Sequence, residues 1–137
     1  MTYLLDTNAC IAIINGNPPT VRPRLDRALN SGAEVYVSSI VLFELWYGVA
    51  KSARPEANAK RLELFFSGPI APLPFDDADA QSAGLIRAEL GAAGTPIGSY
   101  DVLSAGQALR RKLTLITATE REFRRVKSLA YQDWARA

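Results

Sequence analysis

Asp6, Glu44 and Asp101 are the residues around which a chemistry can be built. Glu44 lies within Ile40-Val41-Leu42-Phe43-Glu44-Leu45-Trp46-Tyr47, where an ionised carboxylate faces a desolvation cost on the order of several kcal/mol unless it is paired or metal-bound. Asp6 ends the apolar run Tyr3 to Leu5, and Asp101 falls in the first turn of an expected helix after Pro96-Ile97-Gly98-Ser99-Tyr100. Each acid alone has a structural reading. Glu44 suits a buried Glu-Arg pair or a solvent-facing position, Asp101 suits a helix dipole, and Asp-Thr-Asn at a strand end is good capping chemistry. Taken with Glu120 or Glu122, however, all of them fall at strand carboxyl ends or in the helix turns that follow, so one cleft can collect them. Clustered carboxylates repel unless a cation sits among them. A donor set of oxygens alone selects Mg²⁺ or Mn²⁺, which handle phosphates and activate a water for in-line attack.

The absence of histidine sharpens this reading. Ser-His-Asp and Cys-His nucleophiles, His-based RNA cleavage and His-ligated zinc or iron are all excluded. Cys10 is the only cysteine, which removes internal disulfides and cysteine cages and sets a reducing, cytoplasmic location as the expectation. The N-terminus carries neither a basic lead nor an apolar run of signal-peptide or membrane-span length, so a soluble protein is expected. The net charge of +2 is too small to signal nucleic-acid binding by itself. Distribution says more: Arg110, Arg111, Lys112, Arg121, Arg124, Arg125 and Lys127 crowd the last third, as a surface that follows a phosphate backbone or as a solvated helix face.

The positioning elements follow from periodicity and punctuation. Tyr3 to Leu5 reads as a strand, with Thr7 or Asn8 capping a helix over Ala9 to Asn15. Val21, Leu25, Ala28 and Leu29 recur at helical spacing, Glu34 to Val37 reads as a strand, and Ser38-Ser39 precedes an apolar helix from Ile40 to Ser52. Pro55 opens a further helix carrying Leu62, Phe65 and Phe66, and Ile70 to Phe75 is strand-like. Asp76 or Asp77 caps a helix to Ala92, and Ser99 or Tyr100 opens one to Lys112. Leu113 to Thr117 is an apolar strand, Glu120 to Val126 a short helix, and Leu129 to Tyr131 a last short strand. Strands alternating with helices over 137 residues, with no repeat or linker, predict one α/β domain with a central, mainly parallel sheet. The site of such a sheet lies beyond the strands' carboxyl ends, where Asp6 and Thr117 to Glu122 fall.

Four blocks carry a family resemblance: Leu4-Leu5-Asp6-Thr7-Asn8, Ser38 to Gly48 around Glu44, Thr95-Pro96-Ile97-Gly98-Ser99-Tyr100-Asp101, and Leu115-Ile116-Thr117 with Arg121-Glu122-Phe123. In this order they resemble the PIN-domain ribonucleases, and among them the VapC toxins of bacterial toxin-antitoxin pairs. The resemblance spans nearly the whole chain. It implies a single PIN domain over residues 1–137, a three-layer α/β/α sandwich, Mg²⁺- or Mn²⁺-dependent endonucleolytic cleavage of RNA, tRNA included, and neutralisation by a VapB-like antitoxin. It further implies that Asp6 and Asp101 are direct metal ligands, that Glu44 completes the set, and that Asn8 and Thr117 orient ligands or water. One departure falls at Thr119 and Glu120, where relatives often carry Thr-x-Asn-Thr or an Asp two places after the first Thr.

The fourth acid is assigned on position. Glu122 sits in the matching Arg-Glu-Phe block and is expected at the rim of the metal site, whereas Glu120 is expected in solvent or in a cap with Thr117 or Thr119. The alternative is that both are surface charges balancing neighbouring arginines. The helix from Ile40 to Ser52 carries Leu42, Phe43, Leu45, Trp46, Tyr47 and Val49, too many apolar residues for one buried stripe, so an antitoxin segment or a second copy in a homodimer is expected to cover part of it. Three other readings compete: a structure-specific DNA nuclease on the same fold, a non-catalytic interaction module whose acids only cap helices, and a phospho-signalling receiver. The last needs an acidic pair after the first strand, which is absent.

Overall fold

The computed structural model describes residues 1–136. Its elements run β1 (Thr2–Leu5), α1 (Thr7–Asn15), α2 (Val21–Asn30), β2 (Glu34–Ser38), α3 (Ser39–Lys51), α4 (Pro55–Phe66), β3 (Ala71–Leu73), α5 (Asp77–Ala92), α6 (Ser99–Arg111), β4 (Thr114–Ile116), α7 (Glu120–Phe123) and β5 (Tyr131–Gln132). The five strands form one sheet in the order β3-β2-β1-β4-β5, with every pairing parallel.

Side chains of a strand alternate between faces, and this alternation builds two cores. Leu5, Val35, Val37 and Ile116 pack against Cys10 and Ile13 of α1, Leu25 of α2, Val41 and Leu45 of α3 and Leu62 of α4. Leu4 and Leu115 pack on the other side against Ile86 and Leu90 of α5, Val102 and Ala105 of α6, and Phe123 of α7. The result is the three-layer α/β/α sandwich. The crossover rule explains the division of helices. Steps from β1 outward to β3 use α1 to α4, whereas the return across the sheet to β4 uses α5 and α6, and a right-handed crossover in the reverse direction must lie on the opposite face. The strand order therefore reverses between β1 and β4, and a crevice opens beyond their carboxyl ends. The Asp6 N–H donates to the Ile116 carbonyl there, at 3.0 Å.

The helices of the return crossover meet with almost no gap. A Cβ at Gly106 would stand 2.5 Å from the Ala83 nitrogen, and the Ser82 hydroxyl donates to the Gly106 carbonyl at 2.9 Å. No helix among the described residues is long and apolar enough to cross a membrane.

Local differences from the sequence expectations have identifiable causes. The cap of α1 is Asp6, not Thr7 or Asn8, because its carboxylate accepts from the Ala9 N–H and the helix starts two residues early. The helix α7 ends at Phe123, and β5 lies at Tyr131–Gln132, beyond the expected Leu129 start, where it pairs with Leu115 and Ile116 of β4. Arg110 and Arg111 do not join a basic surface. Both bridge to Asp76 and Asp79 at 2.9–3.2 Å, tying the end of α6 to the capping box of α5.

Candidate active site

Asp6 is placed by two elements at once. It leaves β1 in extended conformation, and its side chain caps α1 through the Ala9 N–H at 2.8 Å. The capping geometry turns the carboxylate into the crevice, where it is only 6% exposed. Burial pushes its pKa up to about 6, opposed by hydrogen bonds from Thr117 and the Ala9 backbone and reinforced by the charges of Glu44 and Asp133. Thr117 is itself buried at the end of β4, and its hydroxyl also meets Thr119 at 3.0 Å.

Glu44 reaches the same place from α3. Its Oε1 accepts from the Thr7 hydroxyl at 2.8 Å, so α1 supplies the partner that a carboxylate on an apolar helix requires. Asp101 enters from the first turn of α6, where Gly98 is the cap. A Cβ at Gly98 would stand 2.9 Å from Asp101 Oδ2, so glycine there leaves the carboxylate its space. Burial first, then a hydrogen bond with Glu122 and the charges of Glu122, Asp6 and Glu44, push the Asp101 carboxyl up to about 7. Asp101 therefore feels three neighbouring carboxylates at once, the repulsion of like charges held together.

The structure therefore brings Asp6, Glu44, Asp101 and Glu122 into one electrostatic cluster, with Thr117 bonded to Asp6. Asn8 is exposed, and no side-chain hydrogen bond joins it to these acids among the described residues. Glu120 is not in open solvent and caps nothing: it forms an ion pair with Arg136 at 3.2 Å, and Thr119 makes no side-chain cap bond. Two residues escaped the sequence reading. Thr7 is visible only once α1 is known to begin there, and Asp133, which adds negative charge beside Asp6, carries no motif at all.

The PIN domain profile matches residues 3–129, spanning all of these acids except Asp133. The chain belongs to the PIN-domain family. Among PIN-domain relatives it is 43% identical over 98% of its length to the tRNA(fMet)-specific endonuclease VapC of Shigella flexneri, 99% of which is covered. It is 37% identical to Ribonuclease VapC2 of Rickettsia felis, with 98% of each chain covered. Solved structures agree. The DNA-bound VapBC of Salmonella typhimurium contains a chain that superposes with a TM-score of 0.88 at 41% identity, covering 98% of each chain. The promoter-DNA complex of VapBC2 from Rickettsia felis gives 0.90 at 34% identity, covering 98% of this chain and 99% of that one.

The donor set of this PIN domain fits a hard divalent cation. Every candidate ligand is a carboxylate, and two of them hold pKa values raised partly by their neighbours' negative charge. Among the described residues no three His, Cys, Asp or Glu already stand at ligand spacing.

Proposed function

We propose that this PIN domain is the toxin of a toxin-antitoxin pair and a Mg²⁺- or Mn²⁺-dependent endoribonuclease. The reading is carried by the convergence of Asp6, Glu44, Asp101 and Glu122, from four separate elements, on the crevice where the strand order reverses. Relatives in Shigella flexneri and Salmonella typhimurium, both named as tRNA(fMet)-specific endonucleases, support tRNA as the substrate class. The VapBC neighbours support a VapB-like antitoxin as partner and a homodimer or larger assembly. The buried single thiol, Cys10, suits the cytoplasm.

When bound, the cation supplies the positive charge that phosphodiester cleavage needs and a water acidic enough to attack near neutral pH. Asp6 and Asp101 hold it, and Glu44 completes the set. Thr7 fixes Glu44 and Thr117 fixes Asp6, so both carboxylates are oriented before substrate arrives. Glu122 acts at the rim through its hydrogen bond to Asp101.

Antitoxin-free protein incubated with bulk tRNA tests this reading. Cleavage should require Mg²⁺ or Mn²⁺, stop in EDTA and return when metal is restored. Asp101→Asn should stay folded and lose cleavage by three orders of magnitude or so, since it removes a charge and no packing volume. Full turnover by a nuclease-free Asp101→Asn preparation would overturn the assignment.

A further inference from the structure

The basic residues of the last third separate into two groups once their partners are known. Arg110 and Arg111 are tied to Asp76 and Asp79, and Arg125 donates to the Pro96 carbonyl at 3.0 Å. Arg121 and Arg124 form no ion pair among the described residues. They stand three apart along α7 and its helical cap residue, hence on one face, and both line a cavity of about 800 Å³. The same cavity is walled by Glu122, which touches Asp101, and by Tyr131 and Arg136. Glu120 and Glu122 line the same wall, but Glu120 is engaged by Arg136 and Glu122 by Asp101, which leaves the Arg121 and Arg124 guanidinium groups to bind an anion.

We propose that this cavity is a subsite for the single-stranded nucleotides flanking the cleaved bond, with phosphates on Arg121 and Arg124 and a base against Tyr131. The proposal rests on the endoribonuclease reading and adds to it a specific docking place. Three features suit that ligand. The planar guanidinium forks of the arginines suit backbone phosphates, Tyr131 is a half-buried aromatic of the wall against which any base can stack, and the cavity shares Glu122 with the carboxylate cluster. Glu120 holds Arg136 at 3.2 Å and so keeps the third guanidinium on the wall.

Binding measured in EDTA tests the subsite without depending on cleavage. The probe is a fluorescein-labelled single-stranded 12-nucleotide oligoribonucleotide of mixed sequence, titrated by anisotropy at several salt concentrations. Arg121→Gln/Arg124→Gln should flatten the slope of log K against log salt by about 1.4, the share of two phosphate contacts on a single strand. Tyr131→Leu, which keeps apolar packing, should weaken binding about five- to a hundredfold with little change in slope. Lys127→Gln, in the same basic stretch but outside the cavity wall, should bind as wild type does. Circular dichroism confirms that each variant is folded. Wild-type slope and affinity in the arginine double variant overturn the proposal, as does an oligonucleotide that the wild-type protein does not bind. A wild-type protein that binds with the expected slope but cleaves no RNA in Mg²⁺ overturns the endoribonuclease reading and leaves the subsite standing.

Discussion

Asp6 serves as a helix cap and as a site carboxylate, and the two uses conflict in energy. Moving a buried carboxyl from 3.8 to about 6 costs the fold about 3 kcal/mol at neutral pH. The sign follows from the protons: between the two values the folded chain holds a proton that the unfolded chain has released, so metal-free stability falls as pH rises from about 4 to above 6. Asn caps as well as Asp does and carries no charge. Asp6→Asn is therefore expected to stabilise the chelated protein at pH 7 by about 1–3 kcal/mol in urea melts, to match wild type near pH 3.5, and to lose cleavage. A variant destabilised at pH 7 would show that the cap depends on the charge and that the site imposes no stability cost.

At the scale of elements, the helices of the return crossover are pinned by a buried charge network with the opposite pH behaviour. Asp79 is fully buried; burial pushes its carboxyl up, but hydrogen bonds from Arg111, the Asp76 backbone and Arg110 outweigh that and hold it well below the usual carboxylate range. Its contribution is present above the unfolded carboxylate pKa and is lost as pH falls through that range into strong acid. Asp79→Asn should destabilise the fold by about 3–5 kcal/mol at pH 7, because two guanidinium groups lose their buried partner and keep only the exposed Asp76, and the gap should narrow below about pH 4 while staying open at pH 2. Equal losses at both pH values would assign the effect to packing. This network also marks where sequence reading stops. Strand and helix periods, the Ser38 and Asp76 caps and the alternation that dictates a parallel sheet are local signals, legible in runs of ten or so residues. Asp6 and Glu44 were legible as candidates from a strand end and an apolar run, Asp101 from the first turn of a helix, and Glu122 from its Arg-Glu-Phe block. The fate of Arg110 and Arg111 was not, since it depends on carboxylates more than thirty residues earlier in sequence, and neither was Thr7 as the partner of Glu44.

At the scale of the whole molecule, the described residues leave one face of α3 largely uncovered. Val41 and Leu45 are buried under it, whereas Phe43, Trp46 and Tyr47 remain exposed, with Phe43 set edge-on to Tyr100 of α6 at 5.8 Å. On the other flank of α3 a groove of about 360 Å³ runs between α1, α3 and α4, lined by Ile11, Ile14, Leu45, Val49, Leu62 and Arg61 and reaching Glu44. A mainly apolar groove that reaches Glu44, one of the proposed site carboxylates, suits an amphipathic helical segment whose far end covers the site. Such a segment neutralises a nuclease by occupying the approach to the carboxylates, with no change of fold. Ile11 tests this placement because it is 43% exposed and so contributes little to the core. Ile11→Lys places a charge where apolar contact is expected and should leave the circular dichroism spectrum and melting temperature close to wild type. It should weaken capture of the antitoxin by about ten- to a hundredfold, through lost apolar burial together with the cost of desolvating the ammonium. Cleavage in the presence of equimolar antitoxin should then reappear at toxin concentrations where the wild-type pair is silent. Undiminished capture and inhibition would move the antitoxin from this groove to the aromatic side of α3, with a second copy of the chain excluded from the surface that Phe43 and Tyr47 present.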